Sequence, residues 1–223
     1  VLALWVAWGN TTVGLTTYTI QEHNLPAAFD GYRIAHISDL HNSTLWKQTI
    51  KRLQEAKPDM IAITGDLIDS RRTDISSALN TARHLAEIAP CYYVTGNHES
   101  RIEEYPDLRK GLEEAGITVL DGRCAEVERG EESVIIAGFD DPSSKADFAS
   151  GKYAEIAESE LCALDENLNG FSILLAHRPE LIDVYSKHNV SIVLSGHAHG
   201  GQFRLPFVGG LYVPNQGIFP KYD

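Results

Sequence analysis

Nine histidines occur in the 223-residue chain, and five of them fall where short apolar runs end: His41, His98, His177, His197 and His199. They belong to five blocks in order: Asp39-Leu40-His41, Gly65-Asp66, Gly96-Asn97-His98-Glu99, His177-Arg178-Pro179 and Gly196-His197-Ala198-His199. An isolated D-x-H or G-D is an ordinary turn after a strand, because Asp and Gly are frequent there. The H-x-H is more telling, since alternate side chains of an extended segment point the same way. Gathered together, these residue types suit two divalent cations about 3.5–4 Å apart, which share a hydroxide and clamp a phosphoryl group. Adjacent dications repel, so an anionic carboxylate must lie between them. Asp66, the one acid presented alone by a central strand, is the candidate. Asp39 and His41 reach one ion from the first strand. Neutral imidazole and the Asn97 carbonyl oxygen fill other positions without overcharging the site. Gly65, Gly96 and Gly196 allow close backbone approach.

The elements that must position these blocks follow from apolar periodicity. Strands are predicted at Tyr32–Ser38, Met60–Thr64, Cys91–Thr95, Phe171–Ala176 and Val190–Leu194. Helices are predicted from Trp46 to Lys57, stopped by Pro58, and from Asp74 to Ala89, ended before Pro90. Others are expected around Pro106–Ala115, Ala146–Glu166 and Pro179–Lys187. Residues Ile117–Phe139 read as hairpins with Asp-Gly and Arg-Gly turns. Gly196–Asp223 reads as loops and short antiparallel strands. This mixture is an α/β sandwich, and the five blocks stand at the carboxyl edge where such sheets bind ligands.

The complete order D-x-H, G-D, G-N-H, H, G-H-x-H between Asp39 and His199 resembles the calcineurin-like metallophosphoesterase family. Phe29-Asp30-Gly31-Tyr32-Arg33-Ile34 before it and Gly200-Gly201-Gln202-Phe203 after it are similar to a bacterial branch whose members often carry an N-terminal membrane segment. The resemblance implies a layered α/β/β/α sandwich, with two mixed β-sheets flanked by helices. It implies one metal held by Asp39, His41, Asp66 and His199, and another held by Asp66, Asn97, His177 and His197. His98 would face the substrate and protonate the leaving oxygen or stabilise the transition state. Asp69 is expected behind the ligands. Arg178 is placed either on the substrate phosphate or, as the more ordinary outcome, in solvent. The implied activity is hydrolysis of a phosphomonoester, phosphodiester or pyrophosphate by in-line attack of a metal-bridging hydroxide, with Mn²⁺, Fe or Zn²⁺ as cofactor. The family's β-rich ending reads as cut short after Gly217.

The formal charge of −12 disfavours nucleic-acid binding. Cys91, Cys124 and Cys162 have no metal-site spacing and read as free thiols. Length favours one domain over 1–223, expected as a monomer. The apolar run Val1–Trp8 is too short to span a bilayer and reads as a first strand or the remnant of a membrane anchor. With an anchor, the parent protein is membrane-associated and a lipid-linked or cell-envelope phosphate becomes a reasonable substrate. Without one, a cytoplasmic protein is expected. A metal-free scaffold is disfavoured because every ligand position is filled. A metallo-β-lactamase-like hydrolase is disfavoured because Gly200-Gly201 follows the H-x-H.

Overall fold

The computed structural model describes residues 8–201, 204–205, 209–213 and 216–222. The sequence folds into two face-packed sheets covered by helices on their outer faces. Strands β1 (Ile34–Ile37), β2 (Met60–Thr64), β3 (Cys91–Val94) and β4 (Ile117–Val119) form the first sheet in that order, all parallel. Strands β5 (Arg123–Arg129), β6 (Glu132–Gly138), β7 (Ser172–Leu175) and β8 (Ile192–Leu194) form the second. There β5 and β6 make an antiparallel hairpin, while β7 and β8 continue parallel. The α/β/β/α layering holds; of the two sheets expected to be mixed, the second is mixed and the four strands of the first are parallel. Ile117–Val119, expected in a hairpin, instead closes the edge of that parallel sheet.

Burial explains the layers. Every residue of β2 is buried. Ile61 and Ile63 join the core beneath α1 (Trp46–Ala56), α2 (Ile75–Ala86) and α3 (Tyr105–Glu114), whereas Met60 and Ala62 face Ile136, Ile173 and Leu175 of the other sheet. A third apolar cluster sits beneath α4 (Tyr153–Leu164) and α5 (Ile182–Tyr185). Each such fully buried aliphatic side chain contributes roughly 1.5–3 kcal/mol. A strand buried on both faces has no polar alternation, which is why β2 and β7 read as mostly apolar runs broken only by Thr64 and Ser172 at their ends.

Local chemistry ends the helices close to their expected limits. Lys57 adopts a left-handed conformation (φ 51°) ahead of Pro58 and closes α1. Asp74 caps α2 by accepting the Ser77 N–H at 2.9 Å. The helix predicted over Ala146–Glu166 is shorter, because a 3-10 turn occupies Phe148–Ser150 before it and another, Asp165–Asn167, follows Leu164. After His199 come two-residue strands, β9 (Arg204–Leu205) with β10 (Gly209–Gly210) and β11 (Tyr212–Val213) with β12 (Gly217–Ile218). Trp8 is exposed, and the rest of Val1–Trp8 lies outside the described residues. No helix among the described residues is long and apolar enough to cross a membrane.

Candidate metal centre

The loops that follow β1, β2, β3, β7 and β8 meet at one end of the two sheets. Backbone bonds lace the first two together: Asp39 donates to the Gly65 carbonyl at 3.0 Å, His41 to Asp66 at 2.9 Å and Asn42 to Leu67 at 3.1 Å. Six non-glycine residues in these turns have left-handed φ: Asp39 (56°), His41 (45°), Asn42 (54°), Asp66 (51°), His197 (65°) and His199 (51°). Each costs on the order of 1–2 kcal/mol in an isolated chain. Asp, Asn and His tolerate the region better than most residues, and its concentration here marks a functional turn cluster.

Two donor sets result. Asp39, His41, Asp66 and His199 form one, and Asp66, His177 and His197 the other, with ligand atoms within 4.8 Å of one another in each. In the first, His41 Nε2 lies 3.2 Å from His199 Nε2 and 3.6 Å from Asp66 Oδ2. His199 Nε2 is 3.4 Å from Asp39 Oδ1. In the second, His177 Nε2 is 3.4 Å from Asp66 Oδ2, 3.2 Å from Asn97 Oδ1 and 3.2 Å from His197 Nδ1. One oxygen, Asp66 Oδ2, therefore faces both sets.

The other atom of each carboxylate is occupied. Asp66 Oδ1 accepts the His98 backbone N–H at 2.8 Å, and Asp39 Oδ2 accepts that of His197 at 2.9 Å. Asp39 Oδ1 is buried and has no hydrogen-bond partner among the described residues. A buried carboxylate oxygen left so is costly unless a cation or proton meets it. His177 donates Nδ1–H to the Thr64 carbonyl at 2.7 Å, which turns the lone pair of Nε2 into the cluster. Mixed N and O donors without thiolate, converging around a shared carboxylate, fit hard to borderline divalent metals.

The electrostatics agree with that fit. Burial opposes charge on both Asp66 and His177, but their mutual attraction wins. It holds Asp66 below the usual carboxylate range and lifts His177 to about 10. A cation between them would take the place of that proton. His197 is driven down to about 2, by burial first and then by His177 and the Arg178 guanidinium, so its ring is neutral as a ligand must be.

Glycine is obligatory in three of these turns. A Cβ on Gly65, whose φ is +91°, would lie 2.4 Å from the Gly96 backbone nitrogen, one on Gly96 2.2 Å from Asp66 Oδ1, and one on Gly196 1.7 Å from Ser38 Oγ.

His98 stands beside the donor sets, its ring edge-on to that of His41 with centroids 4.5 Å apart and its Nε2 4.0 Å from Asp66 Oδ2. The Ser70 backbone N–H donates to His98 Nδ1 at 2.9 Å. In the neutral ring the proton therefore sits on Nε2, the nitrogen facing the crevice. Asp69 approaches Nδ1 at 3.4 Å and also accepts the Arg71 N–H at 2.9 Å. Burial lowers the His98 pKa, with Asp66 opposing.

Arg178 is not in solvent. It is 2% exposed, with Nε 2.7 Å and Nη2 3.0 Å from the two oxygens of Asp141, and Nη1 3.2 Å from Glu180. Its guanidinium covers the Tyr153 ring at 4.4 Å, and Nη1 lies 3.4 Å from His197 Nε2. The other histidines lie outside these two donor sets. His36 bonds Thr64 Oγ1, His84 packs on Trp46, and His188 pairs with Asp165 and stands near Glu158 and Cys162.

Two contributors are not evident from the sequence. Glu99 is fully buried and accepts the backbone N–H groups of Asp66 (2.8 Å), Gly96 (2.8 Å) and Ile68 (3.2 Å). Its signal was an acid directly after G-N-H. Asp141 carried no local signal, since its partner lies 37 residues away.

A family model described as calcineurin-like phosphoesterase matches residues 32–201. The chain is 31% identical over 193 residues to the uncharacterized metallophosphoesterase YkoQ of Bacillus subtilis, covering 83% of this chain and 67% of that one. It is 28% identical to the phosphodiesterase YaeI of Escherichia coli, over 82% and 66% of the two chains. A Danio rerio transmembrane protein with metallophosphoesterase domain is 30% identical, over 86% of this chain and 48% of its own. Among solved structures, TT1561 of Thermus thermophilus superimposes with a TM-score of 0.58 at 19% identity, covering 74% of this chain and 81% of that one. That likeness speaks to the fold.

Proposed function

The chain belongs to the calcineurin-like phosphoesterase family and is a metal-dependent phosphoric ester hydrolase, and on that premise we propose a dinuclear centre that cleaves a phosphodiester. The observation that carries the reading is Asp66 Oδ2, which lies 3.6 Å from His41 Nε2 on one side and 3.4 Å from His177 Nε2 on the other. A single carboxylate oxygen so placed could serve both donor sets. Asp39, His41, Asp66 and His199 would hold one divalent ion, and Asp66, Asn97, His177 and His197 the other. Bound there, such ions would lower the pKa of water and offset charge on the phosphoryl oxygens.

The protein's own groups do the rest. The strained turns hold the donors in place before substrate arrives, so no ordering is needed at the moment of reaction. In-line attack of a water oxygen on phosphorus breaks the bond to the opposite ester oxygen. His98 Nε2–H donates a hydrogen bond that stabilises the charge developing on that oxygen, and the proton lost by the attacking water ends on the leaving oxygen. The Ser70 N–H at Nδ1 supports this role because it fixes the tautomer. Arg178 acts as a positioning residue, holding its place beside His197 through Asp141, rather than as a phosphate contact.

A diester is favoured among the three ester classes by the name of the Escherichia coli relative, with monoesters and pyrophosphates as alternatives. Mn²⁺ is the first candidate, ahead of Fe and Zn²⁺, because availability selects among metals at mixed N and O sites. The transmembrane designation of the Danio rerio relative supports a lipid-linked or envelope phosphate met at a membrane. The test is turnover of p-nitrophenyl phosphate, bis-p-nitrophenyl phosphate and a nucleotide-sugar pyrophosphate by protein shown by elemental analysis to carry Mn²⁺. The diester should be fastest. Metal-loaded protein inert toward all three would overturn the reading.

A further inference from the structure

On the His41 side of the cluster lies a cavity of about 530 Å³, which neither the donor sets nor His98 fills. This is within the range of small-molecule sites. Its walls are His41, the first turn of α1 with Trp46 and Lys47, and the loop after β2 with Asp69, Arg72 and Asp74. Asn42 ties the two walls together. Its side chain accepts the Asp69 N–H at 3.0 Å and donates to the Asp74 carbonyl at 2.8 Å, and its left-handed backbone donates to Leu67. The walls are thus preorganised.

The charges in this cavity are unevenly committed. Asp69 accepts the Arg71 N–H and Asp74 accepts the Ser77 N–H, both at 2.9 Å. Lys47 and Arg72 are exposed, and neither forms an ion pair with a carboxylate among the described residues. Lys47 Nζ lies over the Trp46 ring, 5.4 Å from its centroid, so in a chain with a net charge of −12 this cavity carries two cations with no carboxylate partner among the described residues. Trp46 adds a half-buried ring, packed on His84 with centroids 5.1 Å apart.

We propose that this cavity is the subsite for the part of the substrate beyond the reacting phosphorus, and that it selects a substituent carrying a second phosphate. Lys47 and Arg72 bind that phosphate, Arg72 through its planar fork and Lys47 as a point charge. The carbon body of the substituent lies against Trp46. The inference rests on the phosphoesterase reading above and names the class of substrate that the centre prefers.

The test uses the Mn²⁺-loaded protein and calorimetric titration, so it reads binding without requiring turnover. The probes are α,β-methylene uridine diphosphate, whose two phosphorus groups cannot be hydrolysed apart, and uridine monophosphate, which has only one. Wild type should bind the first about tenfold more tightly than the second. Lys47→Ala with Arg72→Ala should remove most of that advantage. Both residues are exposed, so the fold is not at risk. An advantage absent from wild type, or kept by the double variant, overturns the proposal. Failure to hydrolyse any ester would instead strike the phosphoesterase reading and leave this binding difference to be read separately.

Discussion

Glu99 stands directly behind Asp66: its Oε2 accepts the Asp66 backbone N–H at 2.8 Å while the Asp66 side chain faces the donor sets. The same oxygen takes the Gly96 N–H at 2.8 Å, so one buried carboxylate fixes the turns after β2 and β3 together. Burial, followed by the Asp66 charge, pushes Glu99 up to about 7, and its three backbone donors oppose that shift. Glu99→Gln replaces one accepting oxygen by an N–H₂ group that meets N–H donors head-on. Groups that orient metal ligands are typically worth 10–100-fold in metal affinity. The expected outcome is Mn²⁺ binding weaker by about that factor, with a lower melting temperature, both measurable on purified protein. Unchanged affinity would detach Glu99 from the site.

His98→Ala separates chemistry from metal binding. His98 touches neither Asn97 Oδ1 nor the His177 and His197 nitrogens in the hydrogen-bond pattern, and its Nδ1 is taken up by Ser70. Metal content by elemental analysis should stay near wild type, while kcat on a diester falls about 10²-fold or more. The loss should be smaller for a p-nitrophenyl ester than for an alkyl ester, because p-nitrophenolate spreads its charge over the ring and needs less stabilisation by the His98 N–H. Loss of metal together with activity would place His98 among the ligands.

Much of this centre was legible in the sequence because its chemistry is local to strand ends. Asp39 and His41, or His197 and His199, are two residues apart, and one turn delivers each pair. The apolar runs that become β2 and β7 were also legible, since burial on both faces leaves no alternation. The limits appeared where long-range partners determine the outcome. Ile117–Val119 looks like hairpin material until β3 is available as a parallel neighbour. Arg178 looks like a surface residue unless Asp141 is known to lie against it. Glu99 was visible as a letter, but its three bonds to Asp66, Ile68 and Gly96 are fixed by the turns and not by spacing.

The Arg178–Asp141 pair yields a stability prediction. Both side chains are nearly fully buried, and an uncompensated buried charge is far costlier than a replaced pair. Arg178→Met should therefore destabilise the protein by about 3–5 kcal/mol, whereas Arg178→Met with Asp141→Leu should recover a large part of that loss. Urea denaturation of the two variants gives the comparison. If the double variant is as unstable as the single one, the cost lies in packing on Tyr153 rather than in the orphaned carboxylate.

A pH-dependent term comes from Asp140, which lies just beyond β6. Burial first, then the neighbouring Asp121 charge, raises its pKa from 3.8 to about 6, although Thr95 donates to it at 2.8 Å. A carboxyl whose folded-state pKa is raised binds its proton more tightly folded than unfolded. Its favourable contribution is therefore complete below the unfolded value of 3.8 and is lost as pH rises through about 6. Asp140→Asn imitates the protonated acid at every pH: the amide oxygen still accepts from Thr95, and its N–H can reach Asp121. The melting temperatures of variant and wild type should nearly coincide at a pH of about 4 and separate by a pH of about 7, with the variant the more stable. A constant gap across that range would mean that Asp140 titrates as an ordinary carboxylate and that the Asp121 contact carries no proton.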